Sequence, residues 1–199
     1  MGKHPQLKII APVEAPARLC DRADDDLMLL ARGGLLEAFD ELVRRYQERA
    51  RKVAAKHLGR PELAADVAQS TFLEVYRALP RYRPRGLFSS FLFKVLLNQC
   101  RMARRSHVFQ RRTLERLSPI EGFTPGAEER ILERERRYEV DRALEGLSEK
   151  LRVVLVLRFA GELPLAEIAQ TLGVPLGTVK RRLFDGLARL RRELAGEGR

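Results

Sequence analysis

Apolar positions along this chain recur with helical spacing, and nowhere with the strict alternation of a half-buried strand. The clearest stretch is 164–190, PLAEIAQTLGVPLGTVKRRLFDGLARL. Leu165, Ile168, Ala169 and Leu172 share one face of a short helix. Gly173 follows at once, where chains leave a helix through a left-handed residue. Pro175 and Thr178 mark the next start. Val179, Leu183, Leu187 and Leu190 form a second stripe, while Lys180, Arg181, Arg182 and Arg189 lie mostly off it. This pattern predicts a helix-turn-helix whose basic second helix suits a DNA major groove.

Helical spacing also organises the rest. Asp24–Asp26 cap and charge a first helix through Leu30, and Gly33-Gly34 breaks it. A second carries Leu36, Phe39, Leu42, Val43, Tyr46 and Ala50 on one side and continues towards Leu58. A third runs from Pro61 to about Leu79, with Val67, Phe72, Val75 and Leu79 apolar. The RYRPRG loop follows, and a fourth helix starts near Ser89-Ser90. Residues 106–138 contain SPIEGFTPGAEER and a mixed-charge run, which predicts a linker. From Val140 come VDRALEGL, then SEKLRVVLVLRFA, then the helix-turn-helix. VVLVL is ambiguous alone, but it is embedded in helical periodicity. Residues 1–23 hold Pro5, Pro12 and Pro16 and little periodicity, so they are expected to form a flexible extension containing Cys20. The expected fold class is all-α, with two small helical domains on a flexible linker.

Composition narrows the function. The 199 residues are 45% hydrophobic, enough for packed cores, and carry a formal net charge of +11, which favours a polyanionic partner. Cys20 and Cys100 form no CxxC motif, and His4, His57 and His107 are scattered, so no zinc site or other cofactor site is expected. The N-terminal stretch lacks the apolar core of a signal peptide, and no run approaches the roughly 20 apolar residues of a membrane span. A cytoplasmic location and no membrane insertion are the expectation. No convergent set of catalytic groups is evident, so an enzyme is not expected.

The charge is concentrated. From Arg77 to Arg112 there are ten Lys and Arg residues and no Asp or Glu. Such a block repels itself unless phosphates neutralise it. Tyr82, Phe88, Phe91, Phe93 and Phe109 are interleaved with it. Cations for a backbone and aromatic faces for bases suit single-stranded nucleic acid. Phe91 and Phe93 are expected in the core, and Phe88, on a loop, is the better candidate for a base contact.

These segments together resemble the extracytoplasmic-function (ECF) sigma factors of bacterial RNA polymerase over roughly 24–105 and 139–195. AFDELVRRY, AADVAQSTFLEVYRAL and FSSFLFKVLLNQCRMARR are similar to the family's region 2, and ALEGLSEKLRVVLVLRFAGELPLAEIAQTLGVPLGTVKRRL to its region 4. The resemblance implies an organisation of 1–23 as extension, 24–105 as region 2, 106–138 as linker and 139–195 as region 4. It implies docking on the clamp helices of core RNA polymerase through Asp66, Gln69, Ser70, Phe72 and Glu74, although Phe72 suits core packing equally well. It implies recognition and melting of a −10 element by Arg83, Arg85, Leu87, Phe88, Ser89, Ser90, Lys94, Asn98, Arg101, Arg104 and Arg105. Thr178, Lys180, Arg181 and Arg182 become the expected −35 contacts on duplex promoter DNA. An anti-sigma factor, which in this family can hold the protein at the inner membrane, is a further implied partner.

Some positions depart from the family pattern. Phe91 stands where tryptophan is usual and Met102 where aspartate is common. Pro175 replaces a common serine, and Arg181 and Asp185 stand where serine and arginine are frequent. The alternative is a stand-alone helix-turn-helix regulator of duplex DNA, a class to which the 61–79 signature and the acid-free aromatic block do not belong.

Overall fold

The computed structural model describes the backbone of residues 18–113 and 139–196 and the side chains of 18–105 and 139–196. Residues 1–17 of the expected extension, 114–138 of the expected linker, and the side chains of His107, Phe109, Arg111 and Arg112 lie outside the described residues.

Every regular element among the described residues is helical. Helix α1 (Asp24–Arg32) opens on three aspartates that complement its dipole, and it ends at Gly33. Helix α2 (Leu36–Leu58) closes on Gly59, whose φ of 67° is the left-handed turn that glycine takes without strain. A 3-10 turn at Pro61–Leu63 leads into α3 (Ala64–Ala78), and a second at Leu79–Arg81 ends it, where Pro80 cannot continue the hydrogen-bond ladder. Helix α4 (Phe88–Thr113) carries on eight residues into the stretch expected as linker. In the second half, α5 is described over 139–145. It is followed by α6 (Glu149–Phe159), α7 (Leu165–Leu172) and α8 (Leu176–Leu194).

Residues 18–23, expected to be free, are tied to the bundle. The Arg45 guanidinium donates to the carbonyls of Leu19, Cys20 and Arg22 and pairs with Asp24 at 2.7 Å and Glu41 at 2.8 Å. A long cation at mid-helix thus collects carbonyls that a loop would otherwise leave to solvent.

Helices α1 to α4 pack around Leu27, Met28, Leu42, Val53, Val75, Leu92, Phe93 and Leu96, all fully buried. A smaller cluster of Leu144, Leu147 and Leu155, flanked by Leu183, Leu187 and Leu190, holds α5, α6 and α8 together. The two units share apolar surface. Residues 152–157 of α6 are all buried. Leu155 faces the small cluster, whereas Val153, Val154, Val156 and Leu157 join the large one together with Leu163, Ile168 and Val179. Gly161, just past α6, lies so close to α2 that an added Cβ would stand 3.1 Å from Val53.

Polar contacts follow the same seam. The Arg49 guanidinium lies over Tyr46 and Phe93 and donates through Nε to the Gly161 carbonyl at 2.9 Å. Lys56 pairs with Asp141 at 2.5 Å. His57 is 2% exposed, and Arg104 donates to its carbonyl. Burial first, then the charges of Arg152, Arg104 and Arg101, hold the His57 pKa down at about 4, below its usual 6.5.

The unfolded chain binds a proton between those two values that the folded chain refuses, so stability falls as pH drops through that window. The loss is expected to reach about 3 kcal/mol below the folded pKa. Urea midpoints should decline on acidification from pH 7 to about 5, before most carboxylates titrate. The His57→Gln chain should show a flatter profile there. Parallel profiles for the two chains would contradict the assignment.

Candidate nucleic-acid interface

The loop between α3 and α4 is held by one carboxylate. Asp25 accepts the Tyr82 hydroxyl and the backbone N–H groups of Arg85 and Gly86, each at 2.6 Å. Burial, then the bond to Asp25, pushes the Tyr82 pKa well up, so the phenol stays a donor. Gly86 takes φ 65° to present both N–H groups to the one side chain. Arg32 adds a bond to the Tyr82 carbonyl. The acid-free loop thus borrows its anion from α1, sixty positions back.

Beside this loop opens a cavity of about 600 Å³ lined by Ala78, Arg81, Tyr82, Arg83, Arg85, Leu87, Ser90, Phe91, Lys94 and Gln170. Four cations and a tyrosine and phenylalanine in one wall give it the means to take a planar base and its phosphate. An exposed stripe leaves it along α4 through Lys94, Asn98, Arg101 and Arg105. At about 1.5 Å per residue, Phe91 to Arg105 spans roughly 21 Å of helix. Asn98 accepts from Arg101 at 3.0 Å, and Arg104 turns inward to the His57 carbonyl.

Phe88, the expected base contact, is buried in the core. Phe88 is 2% exposed and packs edge-on against Tyr46 and Tyr82, with centroids 5.3 and 6.3 Å away. The helix begins at Phe88 and not at Ser89-Ser90, which puts Phe88 on one ladder with Leu92, Leu96 and Cys100, all buried. Phe91, expected in the core, is half-buried and lines the cavity. Counting back from Cys100 in steps of four would have found this. Ser89 is half-buried and Ser90 is 5% exposed. Both are engaged by the second half of the chain: Ser89 donates to the Glu167 carboxylate and Ser90 to the Glu167 carbonyl and the Gln170 amide oxygen.

Helices α2 and α3 frame a separate groove of about 340 Å³ lined by Val43, Gln47, Glu48, Arg51, Ala65, Ala68, Gln69 and Phe72. Phe72 belongs to the core and also floors this groove. Asp66 and Gln69 are exposed one turn apart, Ser70 is half-buried, and Glu74 pairs with Arg77. Leu36, Leu73 and Tyr76 stand exposed on the same two helices.

In the helix-turn-helix, Gly173 takes φ 65° and Pro175 precedes α8. Lys180 and Arg181 are exposed, Thr178 and Arg182 half-buried. Arg181 reaches Asp185 at 3.9 Å on the same face, so the unusual residue pair forms a loose internal ion pair. Phe184, not singled out from the sequence, is 74% exposed beside them. No group of metal-ligating side chains occurs among the described residues.

The Sigma-70 region 2 family model matches residues 42–109 and the Sigma-70 region 4 model matches 143–192. The ECF RNA polymerase sigma factor SigE of Mycolicibacterium smegmatis is 30% identical over 162 residues, covering 80% of this chain and 63% of that protein. The ECF RNA polymerase sigma factor SigW of Bacillus subtilis is 28% identical over 169 residues, covering 79% of this chain and 89% of its own. The solved structure of CnrH in complex with the cytosolic domain of CnrY superposes with a TM-score of 0.65 at 26% identity, covering 89% of this chain and all of CnrH.

The exchanged roles of two phenylalanines can be measured. Phe88→Ala should cost about 3–5 kcal/mol of stability, the usual range for a buried phenylalanine, whereas Phe91→Ala should cost clearly less. Equal shifts in denaturation midpoint would show that the two rings are equally buried.

Proposed function

The chain belongs to the extracytoplasmic-function sigma factors of bacterial RNA polymerase, and we propose that its two halves divide promoter reading between melted and duplex DNA. The observation that carries this is the cationic, aromatic-walled cavity at the start of α4, continued by an exposed basic stripe, in the half matched by region 2. A stand-alone regulator of duplex DNA has no use for such a half.

The proposed division of labour is as follows. Asp66, Gln69, Ser70, Phe72 and Glu74, with the apolar margin of α2 and α3, dock on core polymerase. The cavity takes a base flipped from the −10 element. Flipping costs a few kcal/mol of stacking, so the wall must restore contact to the extruded base. Phe91 and Leu87 supply that wall in place of Phe88, while Arg83, Arg85 and Lys94 neutralise the flanking phosphates. Asn98, Arg101 and Arg105 follow the strand, and Arg104 fixes α4 to α2. Thr178, Lys180, Arg181 and Arg182 meet the −35 duplex. A bidentate arginine–guanine contact there is worth about 1–3 kcal/mol of discrimination, and a lysine–phosphate contact mainly sets register.

The polymerase carries out nucleotide addition, and this chain supplies sequence choice and strand opening without chemistry of its own. It works beside the polymerase in the cytoplasm. No helix among the described residues is long and apolar enough to cross a membrane. An anti-sigma partner fits the family and the solved complex of the sigma factor RpoE with the anti-sigma factor NepR from Bartonella quintana.

In-vitro transcription with purified core enzyme on a promoter library tests this reading, and chain-dependent transcripts from a shared −10/−35 pattern are expected. Phe91→Ala should reduce permanganate reactivity of the melted bases several-fold while a core pull-down stays intact. Arg181→Ala should weaken −35 use by about tenfold or more and leave the pull-down unchanged. Transcription indifferent to the chain, or parallel loss of pull-down and DNA use, would refute it.

A further inference from the structure

The free face of α8 carries an acid among its cations. Val179 and Gly186 are buried and Leu183, Leu187 and Leu190 half-buried, so this side of the helix faces the body of the second half. Gly177, Lys180, Arg181, Phe184, Asp185 and Ala188 are exposed and recur at helical spacing on the other side. An added Cβ at Gly177 would meet nothing within 4 Å, and Phe184 is 74% exposed, so that face is open. Asp185 is the only acid of α8 ahead of Glu193 in its last turn. Its carboxylate lies 3.9 Å from Nε of Arg181. The two side-chain ends therefore meet, although the residues are one turn apart. The contact is to the Nε edge, and it leaves the Nη groups of Arg181 for the O6 and N7 acceptors of a guanine.

A carboxylate on a helix face that enters the major groove is costly. Phosphates repel it, and so do guanine O6 and N7, thymine O4 and adenine N7, which are all acceptors. Two groups in the groove can donate to it, the amino groups of cytosine and adenine. Adenine sets its N7 acceptor beside the amine, whereas cytosine offers the donor alone. We propose that Asp185 is a specificity-determining residue of α8, and that it accepts a hydrogen bond from a cytosine amino group one base step from the guanine taken by Arg181. The proposal rests on the reading of α8 as the −35 helix. Neighbouring base pairs stack about 3.4 Å apart. The side-chain ends of Arg181 and Asp185, 3.9 Å apart, match that step. Exposed Phe184 stands between them in sequence and displaces water from the groove, so a carboxylate facing the wrong base finds no solvent donor in place of the missing one. Asp185 thus works mainly by rejecting bases that present acceptors.

The test uses the full-length chain assembled with core polymerase. A duplex library carries a randomised −35 element upstream of a fixed −10 element from a promoter that this holoenzyme transcribes, and the bound sequences are counted for the parent and each variant. The parent should select a cytosine next to a guanine. Asp185→Ala should reduce the cytosine preference at that one position by about fivefold or more and keep the guanine. Asp185→Asn should move the preference there from cytosine to adenine, whose N6 and N7 match a side-chain amide. Core pull-down and helix content by circular dichroism should not change in either variant, because the side chain is exposed. An unchanged base pattern in both variants would overturn the proposal. Loss of the guanine preference alone in Asp185→Ala would also overturn it, by making the carboxylate a support for Arg181. A parent that selects no −35 sequence would remove the −35 reading of α8 as well. A parent that selects one without a cytosine beside the guanine leaves that reading standing and removes the role of Asp185 alone.

Discussion

The middle of helix α6, residues 153–157, is apolar on all sides and has to be covered on all sides. A helix of that kind cannot sit on the surface of a small domain without exposing valine and leucine to water. Here Leu155 is covered by the α5–α8 side, and its neighbours Val153, Val154, Val156 and Leu157 join the core that α1 to α4 build. The close approach of α2 at Gly161 follows from that sharing, and so does the position of α7 across the start of α4. One buried helix therefore sets the arrangement of both surfaces proposed to face DNA.

The surfaces themselves are built differently from the core that carries them. The loop before α4 has no acid of its own, and Asp25, on another helix, gives it shape. Its arginines Arg81, Arg83 and Arg85 are left exposed, as the proposed contact with phosphates requires. The recognition helix is looser in its electrostatics. Arg181 lies 3.9 Å from Asp185, an exposed contact of small energetic weight.

Much of this was legible in the sequence for simple reasons. Helical periodicity, Gly59 and Gly173 after the last apolar turn, and the aspartates ahead of Leu27 are local signals, and local signals set local structure. The helix-turn-helix and the acid-free block were readable because spacing and charge are written in order along the chain. Phe88 and Phe91 exchanged places because the helix starts at Phe88, and one residue of register rotates a side chain by about 100°. The seam was not legible at all. Ser89 meets Glu167 across 78 positions and Arg49 meets Gly161 across 112, and neither partner carries a motif. VVLVL held the only hint: a run apolar on every side demands two partners.

The central claim is that the apolar seam around α6 holds the two halves of the chain closed on each other. The most direct measurement is energy transfer between dyes on α2 and α8. Asp40→Cys and Ala188→Cys place both at exposed positions, with Cys20→Ser removing the exposed native thiol and Cys100 buried. The account predicts high transfer in the free chain and a clear fall when Val156→Asp places a charge in the seam. Low transfer in the free chain, or the same transfer with and without Val156→Asp, would contradict it.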